Sequence, residues 1–179
     1  MILITGSAGF IGFHLSKYYL DKGKKVIGID NLNNYYNVKY KKSRLKILNK
    51  YKNFNFFKID LKNKKNLKKL DKNKKKINLI IHLAGQAGVR YSILKPSSYV
   101  KNNIEAYIYL LEYFKLQKNI KMILYASSSS SAWFIASTST ILSFSVLGLS
   151  IKVCLLRKCP TSLVDQAPYI FQEFKLPCF

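Results

Sequence analysis

The sequence predicts an α/β fold, a doubly wound parallel sheet with helices on both faces. Three observations predict it. Apolar runs of strand length recur at residues 1–5, 26–29, 54–59, 77–84 and 121–126, and segments with helical spacing of apolar residues lie between them. A glycine-rich turn, Gly6-Ser7-Ala8-Gly9-Phe10-Ile11-Gly12, joins the first run to the first helix. The second run ends on an acid, Asp30. Strands that alternate with helices are joined by right-handed crossovers, and this makes neighbouring strands parallel.

Each element has its own reason. Met1 to Thr5 is apolar enough for a buried strand and is stopped at once by glycine. Phe13 to Lys22 places Leu15, Tyr18 and Tyr19 on one helical face, with Gly23 as the stop. Val26 to Ile29 is the second strand. In such a strand-turn-helix unit Gly6 turns the chain, Gly9 leaves the backbone open to a pyrophosphate, and Gly12 lets the helix pack close. The helix N-terminus then offers free N–H groups to phosphates. Asp30 can accept two hydrogen bonds from a ribose diol and repels a 2′-phosphate, which favours NAD over NADP.

A tyrosine-rich connection, Asn31 to Lys42, leads to a helix over Ser43 to Tyr51. Phe54 to Ile59 forms the third strand and ends on Asp60-Leu61, where Asp60 reads as a strand-end cap of the next helix. Lys62 to Lys76 carries Leu67 and Leu70 among its lysines and reads as a solvated helix or loop over one sheet edge. Ile77 to Ala84 is apolar throughout, as a central parallel strand must be, and its His82 reads as a packed core histidine. The small residues Ala84, Gly85, Ala87 and Gly88 let a cofactor lie against the backbone. Tyr99 to Lys115 is one long helix, with Val100, Ile104, Tyr107, Ile108 and Leu111 at helical spacing. The fifth strand, Lys121 to Ala126, delivers Ser127 to Ser130 to its carboxyl end, where ligands bind in open α/β sheets.

Four blocks carry a resemblance. They are Thr5 to Gly12; Asp30-Asn31-Leu32-Asn33-Asn34-Tyr35-Tyr36 with Arg44-Leu45 downstream; His82-Leu83-Ala84-Gly85-Gln86-Ala87-Gly88-Val89-Arg90-Tyr91-Ser92; and Tyr125-Ala126-Ser127-Ser128-Ser129-Ser130. Residues 1–130 resemble the extended short-chain dehydrogenase/reductases, the NAD-dependent nucleotide-sugar epimerases and dehydratases, and among them the UDP-glucuronate 4-epimerase branch. The resemblance implies a Rossmann-type NAD domain over 1–130. It assigns cofactor contacts to Gly6, Gly9, Phe10, Ile11, Gly12, Asp30, Asn31, Asn34, Asp60, Leu61, Leu83, Ala84, Gly85, Gln86 and Asn103. It assigns a UDP-sugar, UDP-glucuronate or similar, to Arg90 and Ser127, and contact with the reacting 4-hydroxyl to Ser128.

The family transfers a hydride from C4 of the sugar to NAD and returns it to the other face. It relies on a tyrosine whose phenol is made acidic by a lysine four residues on. That pair should follow the serines, yet the only tyrosine after Ser131 is Tyr169, with Glu173 where the lysine would stand. The expectation is negligible epimerase activity for the chain as written. A 4,6-dehydratase and a non-catalytic NAD-binding or basic interaction protein are the alternatives.

Residues 131–179 differ in character. No asparagine follows Asn119, and Lys152, Arg157, Lys158 and Lys175 are the only basic residues. This divergent tail reads as a frameshift or an altered terminus. It also reads as a membrane anchor, since 126–151 is uncharged, or as strands or a helix over exposed sheet from 134–135 and 141–149.

The net charge of +23 arises almost wholly from lysine. Lysine travels here with Asn, Ile, Tyr and Phe, all encoded by A/T-rich codons, so base composition accounts for it. Lys62 to Lys76 contains neither arginine nor an aromatic residue, and no nucleic-acid partner is expected. Cys154, Cys159 and Cys178 match no zinc spacing, and no metal is expected. The start runs straight into the nucleotide motif with no leader, so a cytoplasmic setting is expected, with a homodimer open.

Overall fold

A computed structural model describes residues 1–127, 141–146 and 149–154. The chain divides into two compact units, Met1–Ile123 and Leu124–Phe179.

In the first unit β1 (Ile2–Thr5), α1 (Phe10–Asp21), β2 (Val26–Asp30), α2 (Val38–Leu48), β3 (Phe54–Lys58) and β4 (Leu79–His82) follow in the expected alternation. The pairings are all parallel and give the order β3-β2-β1-β4. The fifth strand is β5 (Met122–Ser127), and just before it the Lys121 N–H donates to the Asn78 carbonyl at 2.8 Å. All residues of β1 and β2 are buried, because both strands are covered on two faces. Leu3, Ile27, Ile80, Leu110 and Phe114 lie at the centre of the core.

Three boundaries differ from expectation. α1 starts at Phe10 rather than Phe13, because Gly9 takes the extended conformation of an N-cap and Gly12 sits inside the helix. α2 starts at Val38 rather than Ser43, because the Asn37 side chain caps it by accepting from the Lys39 N–H at 2.9 Å. The single helix expected over Tyr99 to Lys115 is α5 (Pro96–Tyr99), a π-helical turn (Val100–Glu105) and α6 (Ala106–Phe114). A separate short helix, α4 (Val89–Leu94), precedes it.

The lysine-rich stretch forms a 3₁₀ helix, Lys64–Leu70, and a short α3, Asp71–Lys74. Leu67 and Leu70 are buried under the sheet edge while the flanking lysines Lys65, Lys68 and Lys69 stay exposed, as the spacing predicts.

In the second unit β6 (Ile141–Val146) and β7 (Leu149–Cys154) pair antiparallel, with Ala126 and Ser127 of β5 opposite Val153 and Lys152. Of the readings for 141–149, strands are what form. Residues 134–135, Cys159, Cys178, Tyr169 and Glu173 lie outside the described residues. Among the described residues no helix is long and apolar enough to cross a membrane.

Gly28, in the middle of β2, carries a packing constraint that no turn motif announces. A Cβ there would stand 2.5 Å from Ser7 Oγ and 2.7 Å from the Phe54 ring. Gly28→Ala overpacks this point and is expected to destabilise the chain by about 1–3 kcal/mol in urea denaturation. An unchanged midpoint would show that the packing yields there.

Candidate functional site

The carboxyl ends of β2, β1 and β4 lie side by side, and the chain leaves each through a short connection. Such an edge of an open parallel sheet is where ligands bind.

The turn after β1 is pressed against the exit of β4. Gly6 has φ +69°, and a Cβ on it would stand 3.0 Å from Ala84 N and from the Leu83 carbonyl. A Cβ on Gly12 would overlap the carbonyl oxygen of Gly6. The close approach made possible by Gly12 is therefore with the turn itself. No side chain caps the N-terminus of α1, and its first turn carries no acid, so its leading N–H groups suit an anion. Phe10 and Ile11 flank this point and are exposed.

Thr5 fastens the two sides. Its Oγ1 accepts from the N–H groups of Leu83 and Ala84, each at 3.0 Å, and lies 2.9 Å from His82 Nδ1. With both acceptor positions of the hydroxyl taken, its hydrogen goes to Nδ1. His82 is then the neutral Nε2–H tautomer. It is buried and stacked on Tyr107 at 4.8 Å, and burial lowers its pKa from 6.5 to about 4. The core reading of His82 holds, and its ring also orients the hydroxyl that pins β4.

Asp30 ends β2 with its carboxylate buried. Oδ1 accepts from the Leu32 N–H at 2.8 Å and pairs with Lys41 Nζ at 3.5 Å. Lys41 is itself buried and donates to Asn33 Oδ1 at 2.9 Å. Asn31 accepts from the Asn33 N–H, closing the same loop, and Asn34 is exposed beside it. Sequence reasoning missed Lys41. Its signal was position: with Leu45 and Leu48 it occupies the buried face of α2.

Arg44 was also given no role. Its Nη1 donates to the Ala8 carbonyl at 3.3 Å and its guanidinium lies 5.7 Å from the Phe10 ring centre, so a cation stands beside the glycine turn.

Beyond β4, Asn103 clamps the loop from the π-helical turn. Its Oδ1 accepts from the Gln86 N–H at 2.6 Å and its Nδ2 donates to the Gln86 carbonyl at 3.0 Å. Gly85 fits beside it, since a Cβ there would stand 3.2 Å from the same Oδ1. At the end of β3, Asp60 caps its own turn by accepting from the Lys62 N–H, while Leu61 is buried in the core. Arg90 is exposed on α4. Ser127 closes β5, and Ser128 lies outside the described residues.

Among the described residues no group of His, Cys, Asp and Glu is placed to hold a metal ion. The lysine-rich stretch is not as free of aromatics as its sequence suggests. α6 brings Tyr109 and Tyr113 to Lys64 and Lys74, with each ammonium over a ring at 4.4 and 3.9 Å. Those rings are occupied, and their hydroxyls donate to Glu105 and Asp71.

Residues 3–134 match the sequence profile of the family described as GDP-mannose 4,6 dehydratase. An uncharacterised protein of Methanocaldococcus jannaschii is 51% identical over 131 residues, covering 72% of this chain and 40% of that one. A UDP-glucuronate 4-epimerase of Thermodesulfobacterium geofontis is 44% identical over 128 residues, covering 72% and 39%. The crystal structure of UDP-glucuronic acid 4-epimerase from Bacillus cereus in complex with UDP-glucuronic acid and NAD superposes with a TM-score of 0.65 at 35% identity, over 72% of this chain and 40% of that one. The chain thus spans about two fifths of the length of the relatives it matches.

The His82 shift makes stability depend on pH. The unfolded chain protonates this ring near pH 6.5, whereas the folded chain resists until about pH 4. Stability is therefore full above pH 6.5 and falls through the window down to pH 4, by about 3 kcal/mol in all. Urea midpoints at pH 7 and pH 4.5 should show that fall in the unaltered chain and a much smaller one in His82→Gln. Equal slopes would contradict the assignment.

Proposed function

The chain belongs to the GDP-mannose 4,6-dehydratase family, and on that premise we propose that its first unit is the NAD-holding half of a nucleotide-sugar 4-epimerase of the UDP-glucuronate type. The observation that carries this is the joint placement of Gly6, Gly9 and Gly12, in the turn and first helix after β1, beside Asp30 at the end of the adjacent parallel strand β2, with the glycine turn pinned to the exit of β4.

The chain's residues fit the cofactor. The uncapped start of α1 takes the pyrophosphate, and Arg44 beside Ala8 adds a positive charge to it. Asp30 accepts from the adenosine ribose, and the buried Lys41 both holds Asp30 and offers a donor to that ribose. Asp60 is assigned to the adenine. Leu83, Ala84, Gly85 and Gln86 form the floor, and Asn103 fixes that floor through the Gln86 backbone. When bound, NAD supplies a reversible hydride acceptor for C4 of the sugar.

The structure of the Bacillus relative was obtained with UDP-glucuronic acid. For this chain we assign a UDP-sugar to Arg90 and Ser127 and contact with its 4-hydroxyl to Ser128. The Tyr-x-x-x-Lys pair does not follow those serines, so the 4-hydroxyl has no phenolate to take its proton and turnover is negligible. The proposed setting is the cytoplasm. A homodimer is proposed from Val100, Ile104 and Ile108, exposed at 52%, 56% and 45% along one helical stretch.

Calorimetric titration of the 179-residue chain with NAD and with NADP tests the cofactor reading. Micromolar NAD binding is expected, with NADP at least about tenfold weaker because Asp30 excludes the 2′-phosphate. Binding of neither nucleotide would overturn it. Incubation with NAD and UDP-glucuronate should give no epimerised sugar, and measurable product would refute the assigned inactivity.

A further inference from the structure

The connection after β2 reaches the connection after β4, although β1 lies between those two strands in the sheet. A contact between them has to pass across the carboxyl end of β1, where the glycine turn begins. Tyr35 makes that contact. Its ring lies edge-on to Tyr91, with centroids 5.4 Å apart. Its hydroxyl fills the place a side chain on residue 88 would need, since a Cβ on Gly88 would stand 2.5 Å from it. Gly88 has φ +103°, so its backbone is also of a kind that glycine adopts readily. The far side is braced: the Tyr99 hydroxyl donates to the Gly88 carbonyl at 2.5 Å, and Tyr91 lies 6.4 Å from Tyr99.

We infer that Tyr35 is a positioning residue that bridges the mouth of the cofactor cleft, and that NAD enters and leaves by parting Tyr35 from Gly88 and Tyr91. This rests on the cofactor reading above. The bridge is built to part. Tyr35 is 37% exposed and Gly88 is also exposed, so separation uncovers little apolar surface. An edge-on ring pair contributes only about 0.5–1.5 kcal/mol. That range corresponds to roughly two- to tenfold in a rate.

Tyr35→Ala removes the bridge at an exposed site and leaves the core intact, whereas Tyr35→Phe keeps the ring. Without nucleotide, amide hydrogen exchange over 85–92 is expected to quicken several-fold in Tyr35→Ala and to stay at the unaltered rate in Tyr35→Phe. With NAD, stopped-flow measurement is expected to show association and dissociation both faster, dissociation by roughly two- to tenfold, and again normal in Tyr35→Phe. Gly88→Ala, which pushes against the Tyr35 hydroxyl and also strains a backbone at φ +103°, should speed exchange alone. Unchanged amide exchange in Tyr35→Ala overturns the bridge whatever the nucleotide does. Quickened amide exchange with unchanged NAD rates overturns its part in cofactor passage. If the unaltered chain binds no NAD, the cofactor reading fails and the gating falls with it.

Discussion

The hydroxyl of Thr5 is the point on which the candidate site depends. It is one oxygen with three partners, two N–H groups from the exit of β4 and the ring nitrogen of His82. The two accepted bonds hold Leu83 and Ala84 so near the turn after β1 that Gly6 has room only as glycine. The donated bond needs a neutral imidazole, and burial of His82 keeps it neutral. A protonated ring would offer a hydrogen where the hydroxyl also offers one. The threonine would then have to give up a strand-end N–H or face an unsatisfied donor in the core. The exit of β4, the glycine turn and the protonation state of a core histidine are thereby one arrangement.

The strands were legible because they are continuous apolar runs in a chain whose other segments are heavily charged. Residues 77–82 carry no charge, after a stretch in which almost every residue is lysine or asparagine. Asp30 and the glycines were legible because their roles are local and tied to spacing. What the sequence hid depends on distant partners. Gly28 must be glycine because of Ser7 and Phe54, and nothing near it shows this. Asn103 is committed to Gln86 across two intervening short helices, and a π-helical turn is not written in apolar periodicity. Lys41 escaped because a lysine on an apolar helix face is a weak signal in a chain this rich in lysine.

The lysines differ in kind, and burial separates them. Lys17, Lys62 and Lys64 pair with Asp21, Asp60 and Glu112 in exposed ion pairs of small individual weight. Lys41 is buried with Asp30, where desolvation is costly and each partner is held by further bonds, to Asn33 and to the Leu32 N–H. Base composition accounts for the exposed set, since a solvated lysine is tolerated at almost any surface position. It does not account for a lysine inside. A buried cation that braces the one acid at the end of β2 has to be repaid by its local structure, and the candidate ribose site is that structure.

Holding a dinucleotide and reacting through it make different demands on a chain. The groups proposed to hold it here are backbone N–H groups, glycines and side chains pinned by other side chains, all within 1–123 and supported by one core. The contacts described among them, Thr5 with Leu83 and Ala84, Asp30 with Lys41, and Asn103 with Gln86, all lie within that unit. Hydride transfer adds a proton acceptor of the right pKa beside the sugar, which the family obtains from a tyrosine and lysine beyond the serines. This separation is why the binding role proposed for Asp30 and the glycines does not depend on the reacting pair.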